Sequence, residues 1–444
     1  MKRQTGAHLS RQQRRWPGWL VWLAVGAAPT TAQGLWGDTR GTAGVEVDLR
    51  QIALASANYD SPSMFGNHDN DGLFQTLLRL VVGGRPTVWL SFDLQAVQSL
   101  SFSTREPDPN ATGPSGVGSG VELFGVPDLD LRYRALRASW TWADGNPLRA
   151  NLGLDRFSAR FSLPYVELTV GRQPIAWGKA SFWNPLDVFL PFDPRQVNRE
   201  YRSGVDALRA DVPLGRLIKL NLIGALGRER AGPDAYQQDD FARVTLCDSA
   251  LLARGNLRIS EYAFALQGGK TAGGAQVGGG AYGEFGQISA RTEAAYTFAL
   301  DCAEKERLFL ENHFSGMLGA TYRFEFRLDL EAQYLFNGAG DAEVSTTSLD
   351  RVLAGNSPQM SQHLLAAAVT YELVDLLKTR LALTVSLSDG SGLVQTGFTY
   401  SLARGADILF GLLLPWGKRP TATALQSEFG TFPTSFYLEM LAHF

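Results

Sequence analysis

The chain has 444 residues, 45% of them hydrophobic, with 41 Lys and Arg against 44 Asp and Glu and a formal charge of −3. Mean hydropathy is near neutral, at −0.09. A general nucleic-acid binder and a helical membrane bundle are both disfavoured, and the length allows two or three soluble domains or one large barrel.

Residues 1–32 have the pattern of a secretory signal. Lys2, Arg3, Arg11, Arg14 and Arg15 precede an apolar stretch at 19–28, and Thr30-Thr31-Ala32 offers small residues before Gln33. The stretch is shorter than the roughly 20 apolar residues of a spanning helix. Its removal leaves 36 basic residues against 44 acidic ones, a mature charge of −8. Residues 33–444 then read as one domain.

Along that domain, strand-like runs fall at 43–57, 73–82, 87–103, 129–142, 149–162, 165–174, 205–212, 216–227, 258–269, 275–285, 287–299, 311–324, 326–337, 362–373, 379–389, 392–403, 405–416 and 432–444. Weaker ones lie at 118–125 and 242–254. The clearest alternation is at 322–336. Tyr322, Phe324, Phe326, Leu328, Leu330, Ala332, Tyr334 and Phe336 share one parity, and Arg323, Glu325, Arg327, Asp329, Glu331 and Gln333 the other. A strand separates these two sets, whereas a helix mixes them. A soluble sandwich gives the same alternation, so the ends of the chain and the number of runs must decide. Short turns such as Leu163-Pro164 and Ala403-Arg404-Gly405 alternate with long polar connections at 58–71, 104–117, 175–203, 228–241, 338–361 and 417–431.

After the run ending Gly171-Arg172-Gln173 come Trp177-Gly178-Lys179, then Phe182-Trp183-Asn184-Pro185-Leu186-Asp187, then Pro191-Phe192-Asp193-Pro194. A strand resumes at Gly204-Val205-Asp206-Ala207. Aromatic side chains at 177, 182, 183, 189 and 192 do not stay in water without cost, and the prolines restrict the backbone. The loop is therefore expected to fold inward and narrow a lumen. Arg132, Arg134, Arg156 and Arg160, taken as lumenal, would pair with Asp187 and Asp193. Lys179, Arg195, Arg199 and Arg202 would add positive charge at the narrowing. Bracing of the loop and direct solute contact both remain open for these residues. The Gly-Arg-Gln, Trp-Gly, Asn-Pro-x-Asp succession resembles porin-like outer-membrane barrels related in style to alginate-export and hydrocarbon-uptake channels.

The tail, Ser435-Phe436-Tyr437-Leu438-Glu439-Met440-Leu441-Ala442-His443-Phe444, puts Phe436, Leu438, Met440, Ala442 and Phe444 on one face and ends on an aromatic ring. It resembles the closing strand by which bacterial outer-membrane barrels are recognised for assembly. The resemblance implies an all-β fold: a single antiparallel transmembrane β-barrel of about 18 strands, within roughly 16 to 20, in the outer membrane. It also implies lipid, lipopolysaccharide and the barrel-assembly machinery as partners, and a monomer or a trimer. The expected function is a porin-like channel passing small hydrophilic or amphipathic solutes. The alternatives are a non-conducting structural or adhesion barrel and a secreted β-sandwich.

Enzymatic signals are weak. His68, His313, His363 and His443 lie in separate segments without ligand spacing, and neither a Gly-x-Ser-x-Gly elbow nor a phosphate-binding glycine loop occurs. No enzyme, cofactor or metal is expected, and Asp69 and Asp71 read as a solvated acidic turn. Cys247 and Cys302 would form one disulfide or stay as two thiols.

Overall fold

A computed structural model describes residues 36–37, 43–56, 71–104, 132–145, 147–177, 181–189, 202–228, 243–300, 310–353, 355–421 and 424–444. The signal-like segment, the 58–71 loop apart from its last residue, and the weak run at 118–125 lie outside them.

Among the described residues, twenty strands form one antiparallel sheet. In chain order they are β1 (Trp36–Gly37), β2 (Ala43–Ser56), β3 (Asp71–Thr87), β4 (Leu90–Ser103), β5 (Ser139–Asp144), β6 (Leu148–Ser162), β7 (Glu167–Gln173), β8 (Val205–Leu214), β9 (Ile218–Ala225) and β10 (Ala250–Ile259). They continue with β11 (Tyr262–Thr271), β12 (Gly274–Phe285), β13 (Ile288–Ala299), β14 (His313–Arg323), β15 (Leu328–Asn337), β16 (His363–Val374), β17 (Leu377–Ser386), β18 (Gly392–Ala403), β19 (Ala406–Trp416) and β20 (Ser435–His443). One helix, α1 (Thr346–Leu353), lies between β15 and β16. Eighteen strands close into a ring, because β20 pairs with β19 on one side and β2 on the other. The remaining two are the two-residue β1 and the inserted β5.

The alternation is that of a membrane barrel. Leu78, Leu80, Phe92, Leu94, Leu318, Leu330, Leu381 and Leu383 are exposed on the outside. Their neighbours Gln75, Leu77, Gln95, Val97, Gln333 and Thr384 point inward and are buried. The outer residues meet lipid, which does not compete for backbone hydrogen bonds, so the closed ladder holds the wall together. One end of the ring carries short turns, including Phe324–Arg327, where Arg327 adopts φ 63° to reverse the chain between β14 and β15. The other end carries most of the long connections and is the outer end by the usual barrel arrangement.

The tail takes the closing place. Phe436, Leu438 and Met440 face outward, while Tyr437 and Glu439 are buried inside. Arg50 and Glu439 pair across the seam, and the backbone of Phe444 exchanges two hydrogen bonds with Val47 at 3.1 and 2.8 Å. The Tyr437 hydroxyl donates to the Thr396 carbonyl at 2.5 Å and lies over Gly411.

The expected strand at 129–142 is corrected to β5, which is not a full member of the ring. β6 is 15 residues long, but its neighbour β7 is only seven, because the chain leaves the wall after Gln173. β7 pairs with the lower half of β6. β5 takes up the upper half, from Ser139↔Gly153 to Asp144↔Arg149. The two strands together fill one place in the wall, because open backbone groups at membrane depth cost several kcal/mol each. The weak run at 242–254 does yield a full ring strand, shifted to β10.

A methyl group at Gly411 would come within 1.9 Å of the Thr396 carbonyl oxygen and 2.6 Å of the Tyr437 hydroxyl. Gly411→Ala is expected to destabilise the barrel by about 2 kcal/mol or more. The check is urea unfolding in detergent micelles, followed by tryptophan fluorescence.

Candidate constriction and solute path

The chain leaving β7 folds inside the barrel, as its aromatic content requires. Ile175, Trp177 and Phe189 are buried in a cluster with Val205, Ile223, Ala250 and Leu252 of β8, β9 and β10. Phe182 and Trp183 belong to a second cluster with Met317, Leu335 and Leu364 of β14, β15 and β16. The loop thus reaches from the wall at β8–β10 to the wall at β14–β16.

Four polar wall side chains, three of them amides, hold the loop backbone. The Gln333 amide receives the Phe182 N–H at 3.2 Å and donates to the Trp183 carbonyl at 2.7 Å. Gln267 donates to the Leu186 carbonyl at 2.9 Å, Gln276 donates to that of Pro185 at 3.3 Å, and Glu293 accepts from the Leu186 N–H at 3.3 Å. Leu186 sits over Gly278 and Gly280 of β12, where a Cβ at Gly278 would lie 2.6 Å from its Cδ2. The Asn184-Pro185-Leu186-Asp187 turn closes with the Asp187 N–H on the Asn184 carbonyl at 3.0 Å. These anchors went unnoticed at the sequence level. Gln333 sat in view on the polar parity of its run, and the glycine run 278–280 is the sequence trace of the seat for Leu186.

The arginines expected to anchor the loop do other things. Arg132 and Arg134 lie in the irregular segment 132–138 ahead of β5, not on alternating strand positions. Arg134 is fully buried, donating to Asp155 at 2.5 Å and to the Gly204 carbonyl at 2.9 Å. Asp155 is the extra residue of a bulge in β6, opposite Gln95 and Ala96 of β4, which frees it from the alternation. Arg156 donates to the Arg202 carbonyl at 2.7 Å. Arg160 lies near the short-turn end of β6, 3.5 Å from Glu167 and away from the loop. Asp187 pairs with Arg202 on the loop's own return at 3.3 Å. Trp177 is buried, with the Arg254 guanidinium 5.4 Å over its ring. Lys179, Asp193, Arg195 and Arg199 lie outside the described residues. Cys247 is disulfide-bonded, and the chain's other cysteine, Cys302, is also outside them.

Arg172 and Asp206 form the junction where the loop departs. Arg172 pairs with Asp206 at 2.7 and 3.0 Å and donates to the Leu154 carbonyl at 2.9 Å and the Leu136 carbonyl at 2.6 Å. It thereby joins β6, the inserted segment and β8 above the end of β7. Their presence in the Gly-Arg-Gln and Gly-Val-Asp-Ala runs was the available signal. Arg172→Ala leaves Asp206 buried without this partner. A loss of about 3–5 kcal/mol is expected, read as a lower temperature for the heat-induced gel shift of the folded barrel.

Rim loops pack against one another at the outer end. Helix α1 contributes Leu349 and Val352 to a small apolar cluster with Val344, Met360 and Leu425. Glu428, in the loop before β20, accepts from the Ser361 N–H at 2.6 Å, and its own N–H donates to Asp389 at 2.7 Å. Burial pushes its carboxyl up to about 7, against hydrogen bonds from Met360 and Ser361 and with a further rise from Asp389. In water the same group titrates near 4.5. The docked loop therefore holds a proton that the opened loop gives up, and docking weakens as pH rises from about 4.5 through about 7. Limited proteolysis of residues 417–434 is expected to be faster at pH 8 than at pH 5, and Glu428→Gln should remove the difference.

No family model matches the chain, and no curated protein matches it by sequence. Solved structures do. OccAB4 of Acinetobacter baumannii aligns over 92% of this chain and 100% of its own, with TM-score 0.52 and 8% identity. OccAB3 of the same organism covers 90% and 99%, at TM-score 0.52 and 12% identity. OccK1 (OpdK) of Pseudomonas aeruginosa covers 90% and 98%, at TM-score 0.51 and 10% identity. At these identities the likeness is one of fold, and the chain is a porin-like, closed antiparallel barrel of 18 strands.

Proposed function

We propose that this barrel is an outer-membrane channel for passive or facilitated passage of small hydrophilic or amphipathic solutes. Residues 174–177 and 181–189 form the constriction. The observation that carries the reading is the inward loop itself, seated by five backbone hydrogen bonds on Gln267, Gln276, Glu293 and Gln333. A ring of 18 strands encloses more space than its own side chains fill, and a fixed internal loop sets the aperture. The wall around it carries both signs: Arg79 lies near Asp48 and Asp155, while Arg380 and Arg291 flank Glu331. Lys179, Asp193, Arg195 and Arg199 belong to the same path on sequence grounds.

Planar-bilayer recording of the purified barrel tests this. Discrete single-channel steps are expected. Gln267→Leu combined with Gln333→Leu removes three of the loop's anchors and should raise the conductance. Asp187→Ala or Arg156→Ala should shift the reversal potential across a salt gradient. A barrel that inserts but shows no steps is a structural or adhesion barrel instead.

A further inference from the structure

A cavity of about 110 Å³ lies on the outer side of the constriction loop. Its floor is the loop turn at 183–188, one wall is formed by the upper ends of β11 to β15, and Tyr133 and the rim residues 355–358 complete it. A dry cavity of roughly 150 Å³ holds a benzene ring, so this one suits a solute somewhat smaller than benzene.

Three neutral hydroxyls face it. Thr271 of β11, Thr297 of β13 and Ser315 of β14 line it, and their hydroxyls make no hydrogen bond among the described residues. The charged lining residues make contacts of their own. Arg132 donates to Asn356 at 3.4 Å, Asp187 pairs with Arg202 at 3.3 Å, and His313 Nδ1 contacts the Glu311 carbonyl at 2.8 Å. A charged solute would have to compete with those contacts. A hydroxylated one finds groups that both donate and accept, beside the aromatic rings of Tyr133 and Trp183, against which its C–H face can rest.

We infer that this cavity is a binding site for a small uncharged polyol of glycerol size, occupied on the way to the constriction. The inference rests on the channel reading for its physiological sense, but binding can be measured without transport. The probe is glycerol, with D-glycerate as the charged control. Saturation-transfer NMR on the detergent-solubilised barrel should show contact with glycerol and not with glycerate. Swelling of reconstituted liposomes should show a glycerol flux that saturates. The double variant Thr271→Val, Thr297→Val keeps side-chain shape and removes two hydroxyls. It should raise the half-saturating concentration about tenfold or more, with the heat-modifiable gel shift confirming that it folds. Glycerol contact and saturation that the double variant does not alter, or glycerate contact equal to that of glycerol, would overturn the assignment. Conductance steps without glycerol contact sink the polyol site alone. Glycerol contact without conductance or swelling keeps the site and removes the channel.

Discussion

A closed wall in lipid tolerates no open edge, and the rest of this molecule is arranged around that constraint. Each strand needs a partner on both sides along its whole buried length. The chain breaks the pattern at one place, after Gln173, where it leaves the ring to supply an internal loop. The gap above β7 is closed by β5 and by the irregular segment before it, which gives its carbonyls to Leu154, Asp206 and Arg228 through Ala138, Tyr133 and Arg132. Two ion pairs, Arg172 with Asp206 and Arg134 with Asp155, fix this patch in place. Gly204 is part of the same joint, since a side chain there would meet the Asp155 carbonyl at 2.5 Å and the Arg172 stem at 2.7 Å. A loop that starts inside the wall thus requires a second piece of chain to finish the wall.

Three of the four wall side chains that hold the loop are amides, and this has a physical advantage. Amides satisfy backbone N–H and C=O groups in pairs without importing a net charge into a partly desolvated site. Other arginine and carboxylate side chains lie in the joint in the wall and along the lumen. There they pair with one another, as Arg291 does with Glu331 and Arg209 with Asp211. The aromatic residues of the loop supply apolar footings at both ends of its span.

Much of the ring was readable from alternation alone, because lipid-facing and lumen-facing positions differ so sharply in polarity. The reversal near Phe326 and the closing role of the tail follow the chain's own pattern. The run at 129–142 misled because Trp140 and Trp142 alternate like any strand, while only a neighbour's length, the seven residues of β7, determines how much wall it must cover. The inward course of the loop was legible in its aromatic content. Its contacts were not, because Gln267, Gln276, Glu293 and Gln333 sit 81 to 151 positions from the backbone groups they hold. Register around the ring, rather than any local motif, brings them to one face. The same holds for Arg202, which reaches Asp187 only once the loop has turned back.

The seam between β20 and β2 joins residues nearly four hundred positions apart, as Arg50 and Glu439 show. A segment that lacks either β2 or β20 leaves a sheet with two bare margins. Until β20 docks on β2, the polypeptide is an adhesive ribbon, prone to stick to other strands. Closure is therefore a single event in which these two strands meet, and the bilayer receives either a finished cylinder or a sheet still open on both flanks.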